Sequence, residues 1–427
     1  MLSLQDVVEN KLCISCGICV GITNDQNTDL ARMQYNSKTG MLDPHILDSE
    51  HEWGTGPELN VCPGKGYPIE EMGAKLYRLG ESAYSVELGH YLKYGSARTG
   101  DPVFSSLASS GGLIPSLSYY LLASGKVDGI LTVKYTYNDM GMSVSPFIAK
   151  TKEDLIASQG SKYQPIPLLK DMSIIQGFEG TLAVIGTPCQ IAAVRLAQSN
   201  DEQLYQHVKY TISNFCGGFR DLREQDRIFD IFDVNQKLIN HFSYRGGKQP
   251  GSMSISQSGS EVIEVPYPNY SRLTGYPKYF RCRTCVDATG ELADISFGDA
   301  WINRLLKSDF NWSCYIIRSP EMKEILSQMI ADKWIIHEDI SHKELLQSQA
   351  GNLLTKKVRQ YSRYKLFKFF KKKIPVFDGG YLNGDVKLWR EVRIFLKYQA
   401  LYLLENVRLY YPIAKIVGRI KHERTQD

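Results

Sequence analysis

The chain has 427 residues, 43% hydrophobic and 22% charged; this is the composition of a globular protein with two or three domains, not of a fibre or a disordered tail. No uninterrupted apolar run reaches the ~18 residues that crossing a bilayer needs, and the stretch from Met1 to Val8 lacks the basic-then-apolar pattern of a secretory signal, so a cytoplasmic protein is expected. The formal charge of +4 hides a split: residues 355–427 carry 18 Lys and Arg against 6 Asp and Glu, the remainder 32 against 40, so a mildly acidic body ends in a basic tail.

Residues 1–78 read as a cysteine-bearing segment. Cys13, Cys16 and Cys19 are spaced by two residues each, and Cys62 follows far downstream, directly before Pro63. Three closely spaced thiolates plus a remote Cys-Pro is a ligand pattern of iron–sulfur proteins. Zinc sites more often pair their cysteines as two separated knuckles. A ferredoxin-like cubane cluster is therefore the expectation, with zinc or a disulfide as alternatives. The Asn-, Asp-, Gly- and Pro-rich stretch between Cys19 and Cys62 favours turns over long elements.

Residues 79–350 form the next unit. The run from Gly80 to Gly100 reads as a linker with short structure. Ser109-Ser-Gly-Gly112 before an apolar periodic run predicts a serine-capped helix ending near Gly125, followed by a strand over Val127–Thr136. A glycine-flanked helix start can also receive a phosphate, although that signal is weak alone. Lys152–Ala157 reads as helical, and Gln159–Tyr163 as a polar turn bearing Lys162 and Tyr163. Gly180–Gly186 predicts a buried strand running into Thr187-Pro-Cys-Gln190 and a helix over Ile191–Ala197. Cys189 then sits where a helix amino terminus favours a thiolate. Val208–Asn214 is another strand, ending at Cys216-Gly-Gly218. Phe242–Lys248 predicts a strand with a basic turn, and a hairpin-prone run continues to Val265. Cys282 and Cys285 form a two-cysteine knuckle, and a strand over 293–301 carries Asp299, read as a turn-capping carboxylate. Alternating strands and helices argue for an α/β core.

Cys189, Cys216, Cys282 and Cys285 could make a second four-thiolate site. Spacing leaves cluster and zinc open there, and lone cysteines are often simply buried, as is expected of Cys314. No Gly-x-Gly-x-x-Gly follows a strand, so no built-in nicotinamide site is expected.

In the tail, residues 351–427, Lys and Arg interleave with aromatics from Lys356 to Lys373, and Val386–Val417 reads as a largely apolar helix carrying Lys387, Arg390, Arg393 and Lys397. It either packs on the body or lies on an anionic membrane surface, peripherally on the inner face. Nucleic-acid binding is disfavoured by the acidic body and the lack of a recognition module.

Taken together, Cys-x-x-Cys-Gly-x-Cys at 13–19, Ser-Gly-Gly at 110–112, Gly-Ser-Lys-Tyr at 160–163, Gly-Thr-Pro-Cys-Gln at 186–190, Phe-Cys-Gly at 215–217, Cys-Arg-Thr-Cys at 282–285 and Asp-Ile-Ser-Phe-Gly-Asp at 294–299 resemble the beta-subunit family of deazaflavin-coenzyme (coenzyme F420) hydrogenases and dehydrogenases, which includes the plant hydroxymethyl-chlorophyll reductase. The likeness spans about residues 8–320. It implies a mixed α/β fold: a ferredoxin-like segment, a central flavin domain and, beyond the shared blocks, the helical basic tail. It implies FAD and one or two [4Fe-4S] clusters, the first held by Cys13, Cys16, Cys19 and Cys62 and the second by Cys189, Cys216, Cys282 and Cys285. Ser110, Gly111, Gly112, Gly160, Ser161, Lys162 and Tyr163 would contact FAD, with Lys162 compensating charge on the reduced flavin or a phosphate. The implied activity is an oxidoreductase relaying single electrons from a ferredoxin-like donor or partner redox subunit through clusters to flavin. Similar bacterial proteins accompany surface-polysaccharide genes, which would suit a sugar- or lipid-linked substrate. The rivals are an electron-transfer subunit serving a separate catalytic partner and a zinc-stabilised binding protein.

Overall fold

The computed structural model describes residues 2–24, 29–47, 54, 56–78, 80–139, 141–171, 175, 178–200, 205–270, 273, 278–384, 387–406, 412 and 415–417. The chain opens with helix α1 (Leu4–Glu9), started by a reciprocal capping box between Ser3 and Asp6. The cysteine loop follows and leads into the short helix α2 (Ile18–Thr23). Between Cys19 and Cys62, where turns are expected, Ala31–Asn36 and Met41–Ile46 pair as an antiparallel hairpin across the tight turn at Gly40.

The body is built on one eight-stranded mixed sheet. Its strands are β1 (Lys93–Thr99), β2 (Gly129–Asn138), β3 (Gly141–Ala149), β4 (Leu182–Gly186), β5 (Val208–Asn214), β6 (Ile295–Asp299), β7 (Ser313–Ile317) and β8 (Ile335–Glu338). In space they run β8-β1-β7-β6-β5-β4-β2-β3. The inner four, β2, β4, β5 and β6, are mutually parallel, and the flanking strands pair antiparallel. The parallel strands are rich in buried Ile, Leu, Val and Ala, as strands covered on both faces must be.

Strand β1 falls inside the stretch expected to be a linker. Lys93-Tyr-Gly-Ser-Ala-Arg-Thr99 has almost no β-branched apolar residues, so periodicity misses it. It is a strand because β7 and β8 pair with its two edges. Its small residues are required there: a side chain on Gly95 would meet the Tyr315 hydroxyl at 2.4 Å.

Helix α3 (Leu113–Ala123) starts at Gly112 and not at a capping serine. Ser110 instead lies 2.8 Å from the Ser313 hydroxyl and donates to the Trp312 carbonyl, which ties the loop to β7. The helix stops at Ser124-Gly125 as expected. Helix α4 (Lys152–Ser158) is capped by Thr151, and helix α5 (Pro188–Ser199) follows β4 directly. A separate three-stranded antiparallel sheet, Ile239–Gly246, Ser252–Gln257 and Ile263–Pro266, stands over the β2–β3 hairpin.

Ile14, Ile18, Val61 and Tyr67 from the cysteine segment, Val184, Ile191 and Val194 from the sheet and α5, and Tyr364 and Phe377 from the tail share one apolar cluster. In the tail a π-helical turn (Leu354–Val358) leads to helix α7 (Gln360–Phe369), which buries Arg363, Leu366 and Phe367. Helix α8 (Leu388–Asn406) covers it through Phe395 and Glu391. The expected helix over Val386–Val417 thus appears as α8 and helical residues at 412 and 415–417, with Val386 and residues 407–411 and 413–414 outside the described residues. Among the described residues no helix is long and apolar enough to cross a membrane. Cys314 is fully buried in β7.

Candidate functional site

The first four cysteines surround one cavity. Cys13, Cys16, Cys19 and Cys62 line a pocket with Val7, Ile18, Met33, Pro44 and Gly64. The loop is shaped by backbone. The amides of Leu12 and Cys13 donate to the Val7 carbonyl at 2.8 and 3.1 Å, and the Ser15 amide points at Cys13 Sγ at 3.4 Å. Gly17 turns the chain into α2 with φ +83°, and a side chain there would strike Lys170 at 2.6 Å, so only glycine serves. Leu169 donates to the Cys16 carbonyl at 2.8 Å, which clamps the loop from the side of the sheet. Burial pushes Cys13, Cys16, Cys19 and Cys62 all up from the ordinary thiol value, and neighbouring thiolates add to the rise at Cys13, Cys16 and Cys19. Buried thiols clustered this way favour a cation that displaces their protons.

The second four lie beside the carboxyl ends of the parallel strands. Pro188 opens α5 and the Gln190 side chain reaches back to accept from the Thr187 amide at 2.9 Å. This is a proline-first helix start with a reciprocal cap, and it places Cys189 in the first turn. Burial pushes Cys189 up to about 12, with Cys216 and Cys285 nearby contributing. Cys216 follows β5, and Cys282 sits in the short helix α6 (Phe280–Arg283). Burial and the charge of Cys216 push Cys282 up to about 12. Amides of Gly218 and Phe219 approach Cys216 Sγ at 3.3 Å and Cys282 Sγ at 3.4 Å. Gly218 has φ +104° and lies where a side chain would meet Cys282 Cβ at 2.9 Å.

The two sets adjoin. Cys16 and Cys189 belong to the same packed cluster, and each of the two residues is within electrostatic reach of the other. Arg281, only 1% exposed, sits between them: its amide donates to the Lys11 carbonyl at 3.1 Å and its guanidinium to the Pro63 carbonyl at 2.8 Å. Among the described residues no three His, Cys, Asp or Glu side chains converge tightly enough for a single metal ion. The first four thiols ring a cavity instead.

A cavity of about 320 Å³ opens at the carboxyl ends of β4, β5 and β6, the edge at which open α/β sheets build ligand sites. Ser110, Gly112, Gly160, Ser161, Lys162 and Tyr163 line it, as do Cys216 and the amino-terminal turns of α3 and α5. Gly111 does not: a side chain there would strike the Ala97 carbonyl and the Ser313 amide at 2.6 Å, so this glycine serves close packing against the sheet. Lys162 donates to the carbonyls of Ser158, Gln159 and Gly160 at 2.9, 3.2 and 3.0 Å, closing the end of α4, and burial brings its ammonium down to about 8.

Sequence reasoning missed two cations. Arg245 grips the Asp299 carboxylate with both terminal nitrogens, one at 2.6 Å, and donates to the Ser109 carbonyl. Asp299 is thus an ion-pair partner in the cavity wall, not a turn cap. Arg245 stands in the segment read only as a strand with a basic turn, and nothing in that run marks it. Lys356, from the tail, is buried against the second set: its ammonium donates to the Asp287 carbonyl at 2.6 Å and approaches Cys285 Sγ at 3.5 Å. Arg245 Nε, Gln159 Oε1 and Gln164 Oε1 are buried without a hydrogen-bond partner among the described residues, and all three residues line the cavity. Native proteins rarely leave such atoms unmet, so the cavity fits a polar ligand. The donor set at each cysteine group, with amides aimed at sulfur, likewise fits an iron–sulfur cluster.

Family models described as coenzyme F420 hydrogenase/dehydrogenase, beta subunit N-term and C terminus match residues 94–172 and 180–343. The coenzyme F420 hydrogenase subunit beta of Methanosarcina barkeri is 28% identical over 254 residues, 57% of this chain and 81% of that protein. The coenzyme F420-dependent sulfite reductase of Methanocaldococcus jannaschii is 22% identical over 382 residues, 85% of this chain and 53% of that protein. A chain of the F420-reducing [NiFe] hydrogenase complex from Methanosarcina barkeri has the same fold, with a TM-score of 0.54, 23% identity and coverage of 69% of this chain and 98% of that one. The chain belongs to the coenzyme F420 hydrogenase/dehydrogenase beta-subunit family, a family of oxidoreductases and electron-transfer subunits.

Proposed function

We propose that the chain is an iron–sulfur flavoprotein: single electrons received near Cys13 pass through two four-cysteine sites to a flavin in the strand-edge cavity, where a substrate is reduced by two electrons. The observation that carries this reading is the continuous placement of the three sites. Cys16 and Cys189 share one packed cluster and lie within electrostatic reach, and Cys216 of the second set lines the cavity.

In this reading Cys13, Cys16, Cys19 and Cys62 hold one [4Fe-4S] cluster and Cys189, Cys216, Cys282 and Cys285 the other. The helix starts at Gly112 and Thr187 and the loop Gly160–Tyr163 hold FAD, whose two-electron chemistry couples the clusters to the substrate. The protein's own groups do the rest. Amides of Ser15, Gly218 and Phe219 donate toward sulfur and stabilise added negative charge. Lys356 supplies a buried positive charge at the second set. Lys162 holds the loop in place through the α4 carbonyls, and Arg245, fixed by Asp299, presents Nε to the cavity. A sugar- or lipid-linked substrate would suit the surface-polysaccharide gene context of similar bacterial proteins.

The test is iron, sulfide and flavin content after anaerobic purification, in the wild type and in Cys13→Ser and Cys282→Ser. Two clusters predict that each variant loses a different half of the iron. Loss of the same half in both, judged by the electron paramagnetic resonance signal that remains, or a colourless zinc protein, refutes the reading. A second reading, an electron-transfer subunit for a separate catalytic partner, is favoured by the relatives that are subunits of a hydrogenase. It predicts flavin reduction without turnover until the partner is added.

A further inference from the structure

We propose that the tail segment Lys368–Val376 is the docking surface for an acidic one-electron carrier protein, placed over the loops that carry Cys13 and Cys62. The inference rests on the reading that the amino-terminal set holds a one-electron acceptor, and it adds where and by what chemistry the donor is recognised. The segment lies beyond residue 343, where the family models end.

The tail is fastened to both cysteine loops. Lys373 pairs with Asp6 of α1, and the next residue of that helix, Val7, holds the Cys13 amide. Three residues on, the Val376 amide donates to the Lys65 carbonyl at 2.9 Å, three positions after Cys62. Phe280 packs against both the cysteine-loop core and the α7–α8 contact. Cys13 is the one member of its set that is partly exposed, Cys16, Cys19 and Cys62 being buried, so of the four it is the one that solvent reaches.

The surface has the composition of a protein-binding patch. Phe369 and Val376 are 79% and 73% exposed, and Lys368, Lys371 and Lys372 of the same segment are exposed too. Exposed apolar side chains among exposed charges suit a transient interface, and one sign of charge selects the opposite sign and speeds encounter. Two acids beside the segment are already engaged: Asp6 pairs with Lys373, and Asp378 accepts from the amides of Glu70 and Glu71. In each encounter the reduced carrier loses one electron and the amino-terminal acceptor gains it, with no proton required. Two encounters supply the pair for one substrate reduction.

The experiment uses the anaerobic full-length chain and stopped-flow reduction by a reduced acidic [2Fe-2S] ferredoxin over a salt series. Lys368→Glu/Lys371→Glu/Lys372→Glu is expected to slow that reaction roughly tenfold to a hundredfold at low salt and to abolish its slowing by added salt. Phe369→Ala is expected to slow it with the salt dependence intact. Both variants keep wild-type iron and sulfide and the same extent of reduction by excess dithionite. Wild-type rate and salt dependence in the triple variant overturn the proposal. So does a triple variant that loses binding to phosphatidylglycerol vesicles while its ferredoxin rate is unchanged, which would assign the face to lipid. A wild-type chain without iron and sulfide fails the cluster reading first, before any kinetic comparison.

Discussion

Asp299→Asn tests the electrostatic construction of the cavity wall. Arg245 is 6% exposed and Asp299 21%, so the cation is the more deeply buried partner. Removing the carboxylate leaves a guanidinium that water reaches poorly, and breaking such a pair costs about 3–5 kcal/mol. The asparagine can still accept one hydrogen bond, which places the expected loss near the lower bound, about 3 kcal/mol. Arg245→Met leaves a carboxylate with access to water, so about 1–2 kcal/mol is expected. The double variant should then be more stable than Asp299→Asn alone, because the stranded charge is gone. Urea unfolding of all four proteins closes the cycle. A cost below about 1 kcal/mol for Asp299→Asn, or a larger cost for Arg245→Met, would refute the reasoning.

The other outcomes concern one site each. Gly17→Ala, with φ +83° and a clash at 2.6 Å, should deplete the amino-terminal iron, whereas Gly218→Ala, with φ +104° and a clash at 2.9 Å, should deplete the second set; iron content and electron paramagnetic resonance separate the two, and equal loss from both sites in either variant counts against independent sites. Lys356→Met removes a cation beside Cys285, worth about 1.5–3 kcal/mol as a charged hydrogen bond, so a redox titration should show one midpoint lowered by about 60–120 mV with the other unmoved. Burial lowers the Lys162 ammonium to about 8, below its unfolded value, so the unfolded chain binds more protons above that pH and stability gains as pH rises from about 8 toward 10. The stability difference between wild type and Lys162→Met should therefore grow in favour of wild type across that range, and a flat difference measured by denaturant unfolding sinks the assignment.

The first cysteine group is legible as a group because Cys13, Cys16 and Cys19 are spaced by two residues each, whereas Cys189 and Cys216 are lone cysteines that the fold brings within electrostatic reach of Cys282 and Cys285. Strand β5 is legible as well, since Val208–Asn214 is both β-prone and bounded by a cysteine-glycine turn. Strand β1 is not, because its conformation is imposed by neighbours 200 and more positions away. The same holds for Arg245 and Lys356. Each is one cation among 50 Lys and Arg, and what distinguishes it is the partner that the fold delivers, Asp299 in one case and the Asp287 carbonyl beside Cys285 in the other. Gly111 shows the converse: a glycine in a motif suggestive of ligand contact is held by the close approach of β1 and β7.

The packing also explains why the cysteine segment and the tail are not hung on the body as separate beads. Electron transfer between fixed sites depends steeply on their separation, so a relay needs a scaffold that does not flex between its members. Leu169 holds the Cys16 loop, and the strap it belongs to continues from the cavity loop that bears Lys162. Arg281 joins the Lys11 and Pro63 carbonyls while its neighbour Cys282 serves the second set. Tyr364 and Phe377 of the tail fill the same apolar cluster as Cys16 and Val184. A displacement of either cysteine loop would therefore open the core shared by all three stretches. The rigidity that the proposed relay requires is supplied by the hydrophobic packing that folds the chain.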